Sequence, residues 1–162
     1  MKLGVIGSPI EHSKSPEIHT NFANQFDLDL VFDKYLVNKD ECLEWIKSFF
    51  ESGGLGLSVT LPLKEVVLEI ADDISLRAKQ AAAANMLFLK DGKIFADCTD
   101  GLGLVTDLKT KEIDIADKKI LILGAGGAAK GIVPSLLKEN PEQVIVANRT
   151  PEKAIQLVAQ IQ

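Results

Sequence analysis

Gly124-Ala125-Gly126-Gly127-Ala128-Ala129 follows the apolar run Ile120-Leu121-Ile122-Leu123 and opens a helical pattern. It fits G-x-G-x-x-A, and its chemistry is anion binding. The first glycine permits a tight turn, the second lets the backbone approach a pyrophosphate, and the small Ala129 permits close helix–strand packing. The helix N-terminus adds free N–H groups and a positive dipole end. About 25 residues beyond Gly124, where an NAD site carries an acid for the ribose 2′-OH, stands Asn148-Arg149-Thr150. A guanidinium there pairs with a 2′-phosphate and stacks on adenine. Lys153, one helical turn on, adds a second cation. The pattern favours NADP over NAD. A structural glycine turn, an exposed arginine and a Thr-Pro helix cap are the plainer alternative.

A second group of residues reads less sharply. Ser13 and Ser15 lie just after the first strand at a helix start, where two hydroxyls can donate to one carboxylate; singly, they are helix caps. Thr60 and Lys64 sit in Ser58-Val59-Thr60-Leu61-Pro62-Leu63-Lys64, at a strand end. A lone lysine there is a solvated helix residue, and Asp100 in Cys98-Thr99-Asp100-Gly101 is a helix cap. Asn85, inside an alanine run, needs its amide satisfied if that stretch is packed.

The elements that must position these residues alternate between strand and helix. Leu3–Ile6 is the first strand. Ser15 and Pro16 are the expected N-cap and first residue of a helix with Ile18 and Phe22 on its apolar face. Val31–Val37 is the next strand, interrupted at Asp33-Lys34. Asn38 to Glu41 caps a helix carrying Leu43, Ile46, Phe49 and Phe50, stopped by Gly53-Gly54. Leu57–Leu61 is a strand, and Lys64–Ala71 and Ser75–Ala84 are expected helices. Asp91-Gly92 marks a hairpin between Met86–Leu89 and Ile94–Ala96. Beyond Thr99 come a connecting helix over Gly101–Lys109, a strand over Lys118–Leu123 whose unbroken apolar run suits burial on both faces, and a helix over Ala128–Glu139. Pro134 should kink that helix. A strand at Val144–Ala147 and a helix opened by Thr150-Pro151 complete the pattern.

At 162 residues, 46% hydrophobic and 25% charged, the chain fits one packed domain or two small ones. The two cysteines, Cys42 and Cys98, show no zinc-like or disulfide spacing, so neither a metal nor a disulfide framework is expected. Net charge is −5, with −6 in residues 1–100 and +1 in the remainder, and no basic stripe. That argues against nucleic acid. No apolar run approaches a membrane span, and the N-terminus is broken too early for a signal peptide. A cytoplasmic location is expected. After residue 118 only two strands and two helices are expected, against the roughly three strands of a mononucleotide-binding half. Ile155, Val158 and Ile161 would then lack part of their sheet, which reads as a truncated chain.

Together these motifs resemble the shikimate dehydrogenase family. Gly7-Ser8-Pro9-Ile10-Glu11-His12-Ser13-Lys14-Ser15-Pro16 is similar to its N-terminal substrate signature, and the segment from Ser58 to Lys64 to its N-V-T-x-P-x-K. Ala84-Asn85-Met86-Leu87 resembles V-N-T-L, Asp97-Cys98-Thr99-Asp100-Gly101 resembles N-T-D-G, and the glycine loop with Asn148-Arg149-Thr150 matches the NADP elements. The resemblance implies an α/β fold: a three-layer substrate domain with a mixed sheet over residues 1–100, then an incomplete Rossmann-type domain over 101–162. It implies reduction of 3-dehydroshikimate to shikimate with NADPH. Ser13 and Ser15 would bind the substrate carboxylate, and Thr60, Asn85 and Asp100 its ring hydroxyls. Lys64, paired with Asp100, would be the catalytic group.

That chemistry suits the residue types. Hydride addition to a ketone builds negative charge on oxygen, which an ammonium stabilises and protonates. Gly124, Ala125, Gly126, Gly127, Ala128, Asn148, Arg149, Thr150 and Lys153 would hold NADP(H). Ser58, Met86 and Cys98 depart from the family's Asn, Thr and Asn, each removing a polar group near the site. The alternatives are a quinate-directed relative and a non-catalytic ligand-binding remnant. In truncated form the chain is expected not to turn over. A homodimer is left open by the sequence.

Overall fold

The structure, a computed structural model, describes residues 1–161. Strand β1 (Lys2–Gly7) pairs in parallel with β2 (Val31–Leu36) on one side and β3 (Gly56–Val59) on the other. β4 (Asp73–Ile74), a two-residue strand that the sequence pattern does not suggest, β5 (Met86–Lys90) and β6 (Lys93–Asp97) complete a mixed sheet of order β2-β1-β3-β5-β6-β4. β5 and β6 form the hairpin expected from Asp91-Gly92. Both turn residues have positive φ, 52° and 74°, as a two-residue type I′ turn demands. Asp33 and Lys34 do not interrupt β2, because it is an edge strand and its charged side chains reach solvent.

Consecutive residues of β1 serve different clusters, since side chains alternate across a strand. Ile6 packs with Val37, Ile46, Leu57, Leu63 and Leu87. Val5 packs with Ile10 and Phe32, on the face where α1 (Ser15–Gln25) sets His19 against Phe32. Helices therefore cover both faces. α2 (Cys42–Glu51) follows a 3₁₀ turn at Lys39–Glu41, where the Glu41 carboxylate accepts the Asn38 N–H at 3.0 Å, the reciprocal half of a capping box.

Three local expectations change. Lys14, not Ser15, precedes α1, and no side chain caps it; Ser13 Oγ instead accepts the Ser15 N–H at 3.3 Å. Only Val66–Ile70 of the Lys64–Ala71 segment is helical, as a 3₁₀ turn, and Lys64 lies in the preceding turn. The helix expected to reach Ala84 stops early: α3 spans Leu76–Ala81, and Ala82 takes φ +46°. Long-range bonds win there, because Ala84 N–H donates to Lys64 O at 2.7 Å and Asn85 N–H to Asp97 O at 3.0 Å.

α4 (Asp100–Thr110) leads to β7 (Lys119–Leu123), α5 (Gly127–Leu137), β8 (Gln143–Ala147) and α6 (Pro151–Ile161). β7 and β8 pair in parallel as a separate two-stranded sheet. α5 runs on through Pro134 to Leu137, held by buried Val133 and Leu136. Val105, Ile122, Ala129, Val133, Leu136 and Leu157 make the local core. Burial of β7 on both faces is not found: Ile122 is buried, whereas Leu121 and Leu123 are 60% and 81% exposed. No described helix lies on that face. On α6 it is Leu157 that is buried, while Ile155 and Val158 are exposed.

Candidate active site

Lys64 is held by its backbone. Leu63 N–H donates to Thr60 O at 3.0 Å, Ala84 N–H donates to Lys64 O at 2.7 Å, and the Leu63 side chain is fully buried. Asp100 is the first residue of α4. The Lys64 ammonium donates to Asp100 Oδ2, and Asn85 Nδ2 donates to Asp100 Oδ1 at 2.8 Å. One carboxylate oxygen thus faces the lysine and the other faces the amide. Asn85 Oδ1 accepts the Thr99 N–H at 2.9 Å, and Nδ2 also donates to Thr99 Oγ1 at 3.0 Å. The amide inside the alanine run is therefore satisfied. Side chains of Lys64 and Asp100 are 14% and 24% exposed, reachable from solvent yet shielded enough to strengthen their attraction.

Two glycines bring Asp100 here: Gly101, the last residue of the Asp97–Gly101 motif, and Gly131, which sequence reasoning did not single out. A Cβ on Gly101 would lie 2.5 Å from Ser135 Oγ and 2.8 Å from Gly131 O; one on Gly131 would lie 3.0 Å from Asp100 Oδ2 and 3.2 Å from Cys98 Sγ. α4 and α5 thus cross glycine against glycine, closer than side chains would permit. The available signal was Gly127-x-x-x-Gly131, a small-residue repeat along one helix face. Burial raises the pKa of the Cys98 thiol, with Asp100 adding to the shift, so the sulfur sits beneath the site as a neutral packing group.

The start of α5 also borders Lys64: a Cβ on Gly127 would touch Lys64 Cβ at 3.4 Å. Thr60, Lys64, Glu65, Gly127 and Ala128 line a cavity of about 230 Å³ between the two sheets. Lys130 Nζ donates to Glu65 Oε2 at 2.8 Å across that junction, a pairing the sequence did not reveal.

On the far side of the glycine loop, Gly124, Gly126, Asn148, Arg149, Thr150 and Lys153 line a cavity of about 660 Å³. Gly124 has φ +114°, a left-handed value that favours glycine. Asn148 braces the loop: its Oδ1 accepts the Ala125 N–H at 3.2 Å and its Nδ2 donates to Thr150 O at 2.8 Å. Ala125 is buried, so its N–H and side chain face the protein. Arg149 and Lys153 are exposed and form no ion pair with the described residues.

The structure therefore brings together Lys64, Asp100 and Asn85, with Thr60 on the same cavity as Lys64. Ser13 Oγ donates to Ser15 Oγ at 3.2 Å, and Ser13 lines a separate cavity of about 440 Å³ with Glu11, His12, Lys14 and Lys34. Ser58 and Met86 are cross-strand partners of β3 and β5. Among the described residues, no group of three or more His, Cys, Asp or Glu could hold a metal ion, and no helix is long and apolar enough to cross a membrane.

Residues 5–87 match the family model described as the shikimate dehydrogenase substrate binding domain, and residues 107–162 match shikimate / quinate 5-dehydrogenase. The chain belongs to the shikimate dehydrogenase family. An NADP(+) shikimate dehydrogenase of Cellvibrio japonicus is 46% identical over 154 residues, 94% of this chain and 56% of that protein. Among solved members of the family, the enzyme of Aquifex aeolicus superposes with a TM-score of 0.93 at 33% identity, over 99% of this chain and 60% of its own. The enzyme of Thermus thermophilus, solved in complex with NADP(H) and shikimate, gives 0.91 at 30% identity, again over 99% and 60%. The chain thus spans 56–60% of the length of these relatives.

Proposed function

We propose that this chain carries the substrate-binding and proton-transfer groups of an NADP-dependent shikimate dehydrogenase, which reduces 3-dehydroshikimate to shikimate. The observation that carries the reading is the Lys64–Asp100–Asn85 network beside the start of α5. A ketone held over Lys64 has the ammonium at its oxygen. The lysine would give its proton to the alkoxide left by hydride addition, and in the reverse direction it would take the proton back. Asp100 keeps the amine aimed at that oxygen and has an acceptor oxygen for a neighbouring ring hydroxyl. Thr60 and Asn85 supply further polar contacts, and Ser13 and Ser15 the substrate carboxylate site.

When bound, NADPH would supply the hydride and leave as NADP⁺. Gly124, Gly126, Gly127 and Ala128 would hold its pyrophosphate at the N-terminus of α5, with Arg149, Thr150 and Lys153 around the 2′-phosphate. Ala125 and Asn148 act by shaping the loop. The reading divides the chain near residue 100, into a substrate-binding part and the first part of a dinucleotide-binding domain, and places it in the cytoplasm.

Because the chain spans 56–60% of its relatives, binding is the direct test. Calorimetric titration with shikimate, quinate, NADP and NAD should show shikimate and NADP preferred. In the Cellvibrio japonicus enzyme carrying this chain in place of its matching segment, Lys64→Ala should lower shikimate-dependent NADP reduction by about 10²–10⁴-fold with little loss of shikimate binding. Unchanged turnover would remove the lysine from its role, and tighter quinate binding would redirect the substrate.

A further inference from the structure

α5 rests against the residues of the candidate site through one face. Gly127 borders Lys64, Gly131 borders Asp100 and Cys98, Ser135 borders Gly101, and Lys138 Nζ donates to Gln80 Oε1 at 3.0 Å. These residues lie three or four apart, the spacing of one helix face. Gly127 and Gly131 set how near the helix comes. They carry no side chain that could lock into the opposite surface, so they leave its tilt and slide unfixed. Fixing those takes a side chain that reaches across. Lys130, in the first turn of α5, does so, donating to Glu65 Oε2 at 2.8 Å with its own side chain 13% exposed. A cation in the first turn opposes the helix dipole. Without Glu65 that ammonium would be largely desolvated beside a positive helix end. Lys138 is exposed and meets a neutral amide, a weaker tie at the far end of the same helix.

We propose that Lys130 is a positioning residue, and that its pair with Glu65 fixes where the phosphate loop stands relative to Lys64. The inference rests on the reading of the preceding section. Glu65 follows Lys64 directly in the chain, and Lys130 follows the glycine loop Gly124–Gly127 by three residues. One ion pair therefore joins the neighbour of the proton donor to the neighbour of the cofactor loop. Between them lies the cavity of about 230 Å³ lined by Thr60, Lys64, Glu65, Gly127 and Ala128. Its width is set by how far α5 stands from the turn that carries Lys64. Reacting atoms must come within about 3–3.5 Å, and small errors in that distance are costly. In this role the pair touches neither substrate nor hydride donor and acts only through the width of the cavity. The Glu65 side chain is 53% exposed, and pairs open to solvent contribute little to folding. Loss of the pair therefore shows in placement before it shows in stability.

A spin-label distance across the junction tests this with no ligand present. Lys47→Cys on α2 and Gln156→Cys on α6 take the labels at exposed positions, while Cys42 and Cys98 are 0% and 3% exposed and stay unlabelled. The parent distance distribution should be narrow. Lys130→Met should roughly double its width, because the contact that limits sliding of the two packed parts is gone. Lys130→Arg should keep it narrow, and Lys138→Met should leave it unchanged. Glu65→Gln combined with Lys130→Met should be no broader than Lys130→Met alone, since both remove the same contact. Equal urea midpoints show that the variants stay folded. In the Cellvibrio japonicus enzyme carrying this chain, Lys130→Met should lower kcat about tenfold with both KM values unchanged, less than the roughly 10²-fold cost of a 1 Å misplacement. A parent distribution that is already broad, or one that Lys130→Met leaves as it was, overturns the proposal. A distance that responds as expected, in a chain that binds neither shikimate nor NADP, keeps the pair and overturns the reading of the site.

Discussion

The two sheets bury similar aliphatic residues to very different degrees. Leu57 in β3 and Leu87 in β5 are 2% and 0% exposed, whereas Leu121 and Leu123 in β7 are 60% and 81% exposed. Composition does not separate them, since β5 and β7 each carry four consecutive apolar residues, Met86–Leu89 and Ile120–Leu123. What separates them is the number of neighbours. β3 and β5 lie inside a six-stranded sheet with helices on both faces, while β7 has one partner strand and helices on one face. Lys64 is held by the covered sheet, whereas the loop that borders it, at Gly127, belongs to the sparser one. The candidate site therefore lies between a sheet covered on both faces and one covered, among the described residues, on one face.

The largest expected effect tests that difference directly. Leu87→Ala should cost about 3–5 kcal/mol of unfolding free energy, as fully buried leucines do, and Leu121→Ala less than about 0.5 kcal/mol. Urea unfolding of both variants measures this, and equal costs would break the comparison.

A middle-sized effect concerns the polar bracing of the covered sheet. Asp97, buried at the end of β6, accepts Ser75 Oγ at 2.6 Å and Cys98 N–H at 2.7 Å, and also binds Arg77. The Arg77 guanidinium holds the Asp97 carboxyl below the usual carboxylate range, against the opposing effect of burial. A depressed folded-state value stabilises the fold above the unfolded carboxylate pKa of about 4 and loses that contribution as pH falls through the folded value. Asp97→Asn should cost about 1–3 kcal/mol at pH 7 and flatten the acid limb of the stability curve. Acid limbs that run parallel in parent and variant would show that the brace contributes nothing through its charge.

The smallest effect on the fold belongs to the exposed end of the two-stranded sheet. Arg149→Ala should leave unfolding within about 0.5 kcal/mol. It should weaken NADP about tenfold more than NAD, roughly 1.4 kcal/mol. Titration with both cofactors checks this, and equal losses would remove the 2′-phosphate contact.

Much of this was legible in the chain because it rests on local patterns. The hairpin at Asp91-Gly92 needs two left-handed residues, and the strand–glycine–helix order of Leu123 to Ala129 needs a tight turn; both can be read within a few residues. The motifs around Lys64, Asn85 and Asp100 marked the site by resemblance, though not its geometry. What failed was decided at long range. Helical alanines up to Ala84 gave way to bonds with Lys64 and Asp97, far away in sequence, and the apolar run of β7 did not reveal how many layers would cover it.

The amino-acid order alone determined the alternation of strands and helices, the glycine turn, and the residue types available for proton transfer and anion binding, because these depend on neighbours a few positions apart. Only the tertiary structure decided that Asp100 meets both Lys64 and Asn85, that Asn148 braces the loop it follows, and that Lys130 meets Glu65. Each of these depends on how closely two distant segments approach, and the crossing of Gly101 against Gly131 exists only where both helices lack a side chain.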